Sequence, residues 1–412
     1  MQEENNKKDI QTITFGCRLN AVESEKIAEM LHDCVPAAIV VNTCAVTGEA
    51  ERQSAQYVRR VARENPDIPL FITGCAATND ATPFTKIPNV RVIDNNDKMN
   101  INAYMHAIAD FDFNQAIKPF VANPDTPMSK QFVQIQNGCN HDCTYCITRL
   151  LRGPSVSFEY DKILADVQNA ITNGFGEIVL TGVDSASYVK LYDGKPFLIS
   201  DLCRKLLTDI PEIRRLRLSS MDPASPEIYK IIDLIHENPR MMPHLHLSMQ
   251  SGSDTILRAM RRRHSANMVH DIVAHADGIT FSWDIICGFP GETDELFNET
   301  MALIMATKPI KIHAFPYSKR PGTPAATMPN QIEKSIAKQR VQTITDAAIH
   351  NRKEFMSGYL GHKTSVLVEE NNTGRTPHDI AVKIIGNPVQ NRTICECKII
   401  GIDGDNFVVT AG

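Results

Sequence analysis

Three thiols at Cys139, Cys143 and Cys146 form a C-x3-C-x2-C loop, Gln136-Asn-Gly-Cys139-Asn-His-Asp-Cys143-Thr-Tyr-Cys146. Thiolates are the preferred soft ligands of iron–sulfur cubes, and three of them leave one of the four irons without a protein ligand. An iron so exposed can bind a small molecule, as the open position of a catalytic zinc does. Gly138 gives the loop room to turn. The rival readings are chance clustering and a structural zinc site. Zinc normally takes four ligands, and His141 is too close in the loop to be a comfortable fourth.

A second set is spread along the chain. Cys17, Cys44 and Cys75 each follow a short apolar run (Ile10–Phe15, Ala37–Val41, Pro69–Thr73), at intervals of 27 and 31 residues. Helical patterns at 21–31 and 49–63 lie between the runs, and Val90–Ile93 is a fourth strand. Such alternation argues for a parallel sheet, whose strand ends share one ligand-binding edge. Three thiols from successive strand–helix loops would converge there as a second site with an open iron. The alternative is separate buried cysteines, and Cys34 is given no role.

From residue 131 the alternation resumes. Strands are expected at Phe132–Ile135, Glu177–Leu180, Leu216–Leu218, Leu245–Leu247, Trp283–Ile286 and Ile312–Phe315, with helices between them and no intervening hairpins. One helix covers Tyr160–Thr172 with Gly174 as its cap, and another starts at Ser225-Pro226. This pattern predicts a partial (β/α)6 barrel with its active face at the strand ends, where the C-x3-C-x2-C loop directly follows the first strand. Thr181 and Gly182, Ser248 and Gln250, and Gly288 occupy loops at the same edge. Ser248 or Gln250 could hydrogen-bond a ribose or adenine, whereas Cys287 is expected to pack. Ordinary turn chemistry is the competing account of any single loop. A long helix at 329–355 precedes short β-rich runs separated by Gly, Asn and Pro, which suggest a small β-barrel. Cys395 and Cys397 share a face of one such strand, a chelating pair only at a stretch.

The expected organisation is therefore α/β: an N-terminal parallel-sheet domain at 1–116, a Pro-containing linker at 117–130, the barrel at 131–357 and a β-barrel at 358–412. The 412 residues carry eleven cysteines and a net charge of −5. Metal-type cysteine spacing fits a reducing compartment, so a cytoplasmic location is expected, and neither a secretory signal nor a membrane span is. Composition shows no basic footprint; the last module has five Lys/Arg against six Asp/Glu. RNA binding would rest on local clusters: Arg149 and Arg152; Arg214, Arg215 and Arg217; or Arg258 with Arg261, Arg262 and Arg263. Each could equally be a solvated face.

The whole pattern resembles the radical S-adenosylmethionine methylthiotransferases. It is most like the branch that modifies N6-threonylcarbamoyladenosine beside the tRNA anticodon. Matching stretches are Thr14-Phe-Gly-Cys17-Arg-Leu-Asn, Asn42-Thr-Cys44-Ala-Val-Thr, Thr73-Gly-Cys75, Leu245–Ser253, Gly288–Thr293 and Phe315–Ala325. The end, with Gly374-Arg-Thr-Pro-His378, resembles a TRAM domain, a module associated with RNA binding. The resemblance implies two 4Fe–4S clusters and S-adenosylmethionine, with Cys139, Cys143 and Cys146 holding the cluster that yields the 5′-deoxyadenosyl radical. That radical would take hydrogen from carbon 2 of the adenine, and the cluster on Cys17, Cys44 and Cys75 would carry or donate the sulfur. It implies a tRNA anticodon stem-loop, an external electron donor and a sulfur source as partners, with the oligomeric state left open. Departures from the family pattern are Ile147-Thr-Arg149-Leu-Leu-Arg152 after the third cysteine, Asp222 for a usual Glu and Asp184 for a frequent His. Rival targets are isopentenyl-adenosine in tRNA or a ribosomal protein. A rival of another class is an iron–sulfur or RNA-binding protein without radical chemistry.

Overall fold

The computed structural model describes residues 9–45, 47–109, 111 and 129–411. The prolines of the expected linker, Pro119, Pro124 and Pro127, lie outside the described residues. The chain divides into two compact units: residues 1–124, 138–140 and 147–154 make the first, and the remainder makes the second.

The first unit is built on four parallel strands in sequential order, β1 (Asp9–Thr14), β2 (Ala37–Thr43), β3 (Leu70–Gly74) and β4 (Val90–Val92). Helices α1 (Arg18–His32), α2 (Gly48–Glu64), α3 (Cys75–Asn79) and α4 (Ile101–Ala107) connect or flank them. Strand side chains alternate between faces. Ala38, Val40 and Phe71 join Ile27, Leu31 and Tyr104 on one side. Ile39, Val41, Leu70 and Ile72 join Val58 and Val61 on the other. Burial on both faces is why these strands read as unbroken apolar runs. Thr47 caps α2 by accepting from the Ala50 N–H.

The second unit carries the parallel half-barrel expected from the alternation. Its strands are β5 (Lys130–Gln134), β8 (Glu177–Thr181), β11 (Leu216–Leu218) continuing as β12 (Ser220–Met221), β13 (His244–Gln250), β14 (Thr280–Cys287) and β15 (Lys311–Pro316). They pair in parallel in that order: β5–β8–β11, then β12–β13–β14–β15. Helices α6 (Tyr160–Thr172), α7 (Ile199–Asp209), α8 (Glu227–Glu237), α10 (Ala266–His275) and α11 (Asp294–Thr307) alternate with them, and α12 (Lys334–Gly358) follows. Leu245, Leu247, Trp283, Ile285, Cys287 and Ile312 belong to the helix-facing core, so Cys287 packs as expected.

The expectation of no hairpins is corrected. β9 (Val189–Tyr192) and β10 (Lys195–Leu198) form an antiparallel hairpin, and β6 (Gln136–Asn137) pairs antiparallel with β7 (Val156–Ser157). The hairpin signal was present as Asp193-Gly194, both at positive φ (50° and 74°), the two-residue turn that antiparallel strands favour. Cys34 is exposed, not buried.

The C-terminal module is a closed barrel of β16 (Lys363–Val368), β17 (Thr373–Arg375), β18 (Ala381–Ile385), β20 (Asn406–Ala411) and β19 (Ile394–Asp403), in that order. Val366, Val382, Ile399, Phe407 and Val409 fill it. Cys395 and Cys397 lie with sulfurs 3.5 Å apart; burial pushes the Cys397 thiol up to about 12, so it packs as a neutral thiol. This module sits on the half-barrel through buried charge. Glu177, fully enclosed, meets Arg217 (2.7 Å), Lys130 (3.3 Å) and Arg215 (3.6 Å). Arg215 reaches Ser365 and the Arg375 carbonyl, Arg217 the Pro377 carbonyl, and Lys130 the Asp379 carboxylate. Two of the arginines offered as an RNA surface, Arg215 and Arg217, are thus internal.

Candidate functional site

Each of the first three cysteines follows a strand of the parallel sheet, at one edge. The register brings the strand ends together: Thr14 lies opposite Asn42, Asn42 opposite Thr73 and Thr43 opposite Gly74. Gly16 stands at φ +91°, and a Cβ there would lie 2.3 Å from the Cys44 sulfur; Gly74, also at +91°, has the Asn42 side chain and Thr43 carbonyl 2.4 Å from the same position. Both glycines are required by the close approach of neighbouring loops. Cys44 and Cys75 are buried and Cys17 is exposed. Three cysteines in loops at one sheet edge are the kind of soft donor set that a three-thiolate iron–sulfur site takes.

The C-x3-C-x2-C loop is anchored separately on each side. In the first unit, Cys139 donates its N–H to the Gly153 carbonyl at 3.1 Å. Gly138 (φ +69°) lies so close to Pro154 that a Cβ would fall 1.9 Å from that carbonyl oxygen. In the second unit, Cys146 N–H donates to the Cys143 carbonyl. Thr144 is pinned by its N–H to the Met260 carbonyl and by its hydroxyl to the Ala259 carbonyl. Arg262 reaches the Cys143 sulfur (3.7 Å), the Ser248 carbonyl (2.9 Å) and Asp222 (3.1 Å).

The two carboxylates that depart from the family pattern converge on one residue. His141 Nε2 lies 2.7 Å from Asp184 and 3.7 Å from Asp222. Asp222, 6% exposed, also holds Arg262 and Arg263. Burial opposes its charge, yet Arg262 and the Ala224 N–H keep its carboxyl below the ordinary range. His141, weighed from sequence as a zinc ligand, is thus engaged by acids of two neighbouring strand–helix loops.

The five residues expected to contact the nucleoside lie at the carboxyl ends of β8, β13 and β14. Thr181 is buried, and Gly182 allows close approach of Gln136, whose side-chain oxygen accepts the Asp184 N–H. Ser248 and Gln250 end β13, where Gln250 adopts φ +70° at a slip in the ladder; a non-glycine residue held there marks a shaped turn. Gly288 (φ +75°) has Ala337 where its Cβ would be, and donates its N–H to Glu292, which Arg340 pairs. Gly288 therefore has a packing reason of its own.

Sequence reasoning missed the polar inner face of the half-barrel. His246 Nε2 lies 3.0 Å from Asp284, and its Nδ1 lies 2.8 Å from Ser282. A carboxylate only accepts, so His246 Nε2 carries the proton that faces Asp284. His244 continues the chain between Ser282 and Thr280, buried and held neutral by desolvation. The His313 ring lies 5.6 Å from His246 and stacks on Phe315. The visible signal was alternation itself: His246, Asp284 and His313 occupy positions between the core-facing apolar residues of β13, β14 and β15.

Comparisons with known proteins agree with this architecture. Residues 133–304 match the radical SAM superfamily, and residues 9–93 match an uncharacterized protein family, UPF0004. The chain is 36% identical to the threonylcarbamoyladenosine tRNA methylthiotransferase MtaB of Rickettsia prowazekii, covering 91% of each. It is 30% identical to MtaB of Bacillus subtilis, over 87% of this chain and 84% of that one. The chain belongs to the radical SAM methylthiotransferase family. A tRNA-2-methylthio-N(6)-dimethylallyladenosine synthase of Paenarthrobacter aurescens is also similar, 33% identical over 88% of this chain and 74% of its own. Among solved structures, the radical S-adenosylmethionine methyltransferase TsrM of Kitasatospora setae superposes with a TM-score of 0.57 at 12% identity, covering 77% and 75%. The cobalamin-dependent radical enzyme OxsB gives 0.51 at 11% identity, covering 86% and 57%. At such identities these two show the fold alone.

As a radical SAM methylthiotransferase, the chain is an enzyme that uses a 4Fe–4S cluster and S-adenosylmethionine. Among the described residues, no helix is long and apolar enough to cross a membrane.

Proposed function

We propose that this methylthiotransferase places a methylthio group on carbon 2 of N6-threonylcarbamoyladenosine beside the anticodon of tRNA, in the cytoplasm. The observation that carries the reading is the likeness to MtaB proteins over nine-tenths of the chain, together with two separate three-cysteine sets. In this reading Cys139, Cys143 and Cys146 hold the radical-generating cluster, and Cys17, Cys44 and Cys75 hold a second 4Fe–4S cluster that serves sulfur transfer.

When bound, the first cluster and S-adenosylmethionine supply one-electron chemistry that reaches a carbon–hydrogen bond with no useful acidity. The chain's own residues hold the parts. Arg262 and Thr144 fix the loop carrying Cys143. Thr181, Gly182, Ser248, Gln250 and Gly288 line the strand ends where the nucleoside part of the cofactor is received. A tRNA stem-loop, an external electron donor and a sulfur source complete the reaction. The C-terminal barrel, resembling a TRAM module, is assigned to RNA contact.

Anaerobic reconstitution with iron, sulfide and product analysis tests this reading. About eight irons per chain, with 5′-deoxyadenosine formed on reduction, is the expected result for two cubes. Mass spectrometry of tRNA from a deletion strain should then show loss of the methylthio group from threonylcarbamoyladenosine. Loss from dimethylallyladenosine instead would overturn the substrate assignment.

A further inference from the structure

Helix α2 of the first unit buries Ser54, Val58, Val61 and Ala62. At 3.6 residues per turn, Gln53, Gln56, Arg59, Arg60 and Arg63 fall on the opposite face, a stripe about 15 Å long. All five are exposed. Among the described residues, Arg59, Arg60 and Arg63 form no ion pair. The acids of the same helix do not cancel them: Glu49 pairs with Arg52 at 2.6 Å, Glu51 accepts from Asn79 at 3.0 Å, and Glu64 bridges to none of the three.

The arginines rim a cavity. Its volume is about 490 Å³, and the Phe15 and Tyr57 rings line it together with Gln53 and Gln56. That size lies in the range of ligand pockets. The two rings meet edge to face, with centroids 5.5 Å apart, and the Arg60 guanidinium stands 4.8 Å over the Tyr57 ring. One cation is thus already oriented by an aromatic face. A smaller cavity of about 300 Å³ shares Arg59 and Arg63 and is bounded by Pro66, Ile87 and Pro88. Phe15 donates its N–H to the Asn42 carbonyl and precedes Cys17 by two residues. The larger cavity therefore begins at the sheet edge that carries Cys17 and Cys44.

Free guanidinium groups are planar donors for phosphate oxygens. Aromatic rings and amides beside them are what unpaired bases stack on and hydrogen-bond to. A solvated helix face would account for the arginines, but not for the aromatic-walled cavity that they rim. An acidic protein would answer the charge and leave the cavity unused.

We propose that the exposed face of α2, with Phe15 and Tyr57, is an RNA-binding surface. It takes the phosphate backbone and an unpaired base of the substrate stem-loop beside the second cysteine set, so RNA contact is not left to the C-terminal barrel alone. The inference rests on the reading of tRNA as the substrate.

The test measures fluorescence anisotropy of a synthetic anticodon stem-loop carrying N6-threonylcarbamoyladenosine, bound to the full, anaerobically reconstituted chain over a range of salt. Arg59→Gln, Arg60→Gln and Arg63→Gln together are expected to flatten the slope of log affinity against log salt by about two, at roughly 0.7 per phosphate contact on a single strand. Affinity near 0.1 M salt then falls about a hundredfold, and the difference closes toward about 1 M. Lysine at the same three positions keeps the charge and is expected to restore most of the slope. Lys334→Gln, Lys338→Gln and Lys353→Gln remove the same charge from exposed positions of α12 and are expected to leave the slope at its parental value. Parental affinity in the arginine-to-glutamine variant, equal flattening in the α12 variant, or a lysine variant as weak as the glutamine one would overturn this inference alone. Parental RNA affinity with loss of reduction by an acidic flavoprotein would also overturn it, and would give the face to an electron donor. A parent that binds no RNA removes the tRNA reading and this inference with it.

Discussion

Arg217 Nε lies 2.7 Å from the Glu177 carboxylate, and neither side chain reaches solvent, at 3% and 0% exposure. Lys130 and Arg215 also face Glu177, and Asp379 adds a second carboxylate through Lys130. The cluster thus holds three cations against two anions, beneath the seat of the C-terminal barrel. Glu177→Gln leaves three cations with one anion and should cost about 3–5 kcal/mol. Arg217→Met brings the charges into balance and should cost less, about 1–3 kcal/mol, chiefly from polar groups left unpaired. Urea unfolding of the two variants measures the order; equal losses would contradict the charge count.

Acid should loosen this seat in two stages. Burial pushes His378 down to about 4 from 6.5, and it donates to the Pro243 carbonyl at 3.0 Å. The unfolded chain takes up that proton first, so stability falls as pH drops from about 6.5 to about 4 and then levels. Glu177 behaves differently: although burial opposes its charge, Arg217 and Lys130 hold it down to about 2 from 4.5. Its contribution is complete above pH 4.5 and is lost as pH falls toward 2, on the order of 3 kcal/mol. Unfolding free energy measured from pH 7 to pH 3 should show both limbs, and His378→Gln should shrink the upper one, to which the buried His244 and His264 also contribute.

Gly16→Ala puts a methyl where the Cys44 sulfur now approaches, at a backbone φ of +91°. The strained backbone alone costs about 1–3 kcal/mol, and the overlap must displace Cys44 or its loop. Iron per reconstituted chain should fall from about eight to about four, with 5′-deoxyadenosine formation retained. Unchanged iron would mean that the loop relaxes without moving the thiol.

Cys44→Ala separates the two cysteine sets chemically. Cleavage of S-adenosylmethionine should persist, because Cys139, Cys143 and Cys146 are untouched, while methylthiolated product disappears. Chromatography of nucleosides from treated tRNA reads the outcome, and product at the parental level would remove Cys44 from sulfur transfer.

Both cysteine sets and the strand–helix alternation were legible in the sequence, because each is local. The C-x3-C-x2-C spacing fits a single loop, and a cysteine just past each strand lands at the shared edge of any parallel sheet. The Asp193-Gly194 turn was equally local and was passed over. Tertiary structure decided the fate of the charges. Nothing near Arg152 in sequence announces that Glu23, 129 residues away, will enclose it. The same holds for Arg217, whose partners come from β8 and from the C-terminal barrel. Nor does local spacing show that Asp184 and Asp222 will meet at His141. An arginine on a solvated face and one buried against a carboxylate have the same local pattern. They differ only in what the fold brings against them, and desolvation then decides whether the charge binds a partner outside or holds the protein together within.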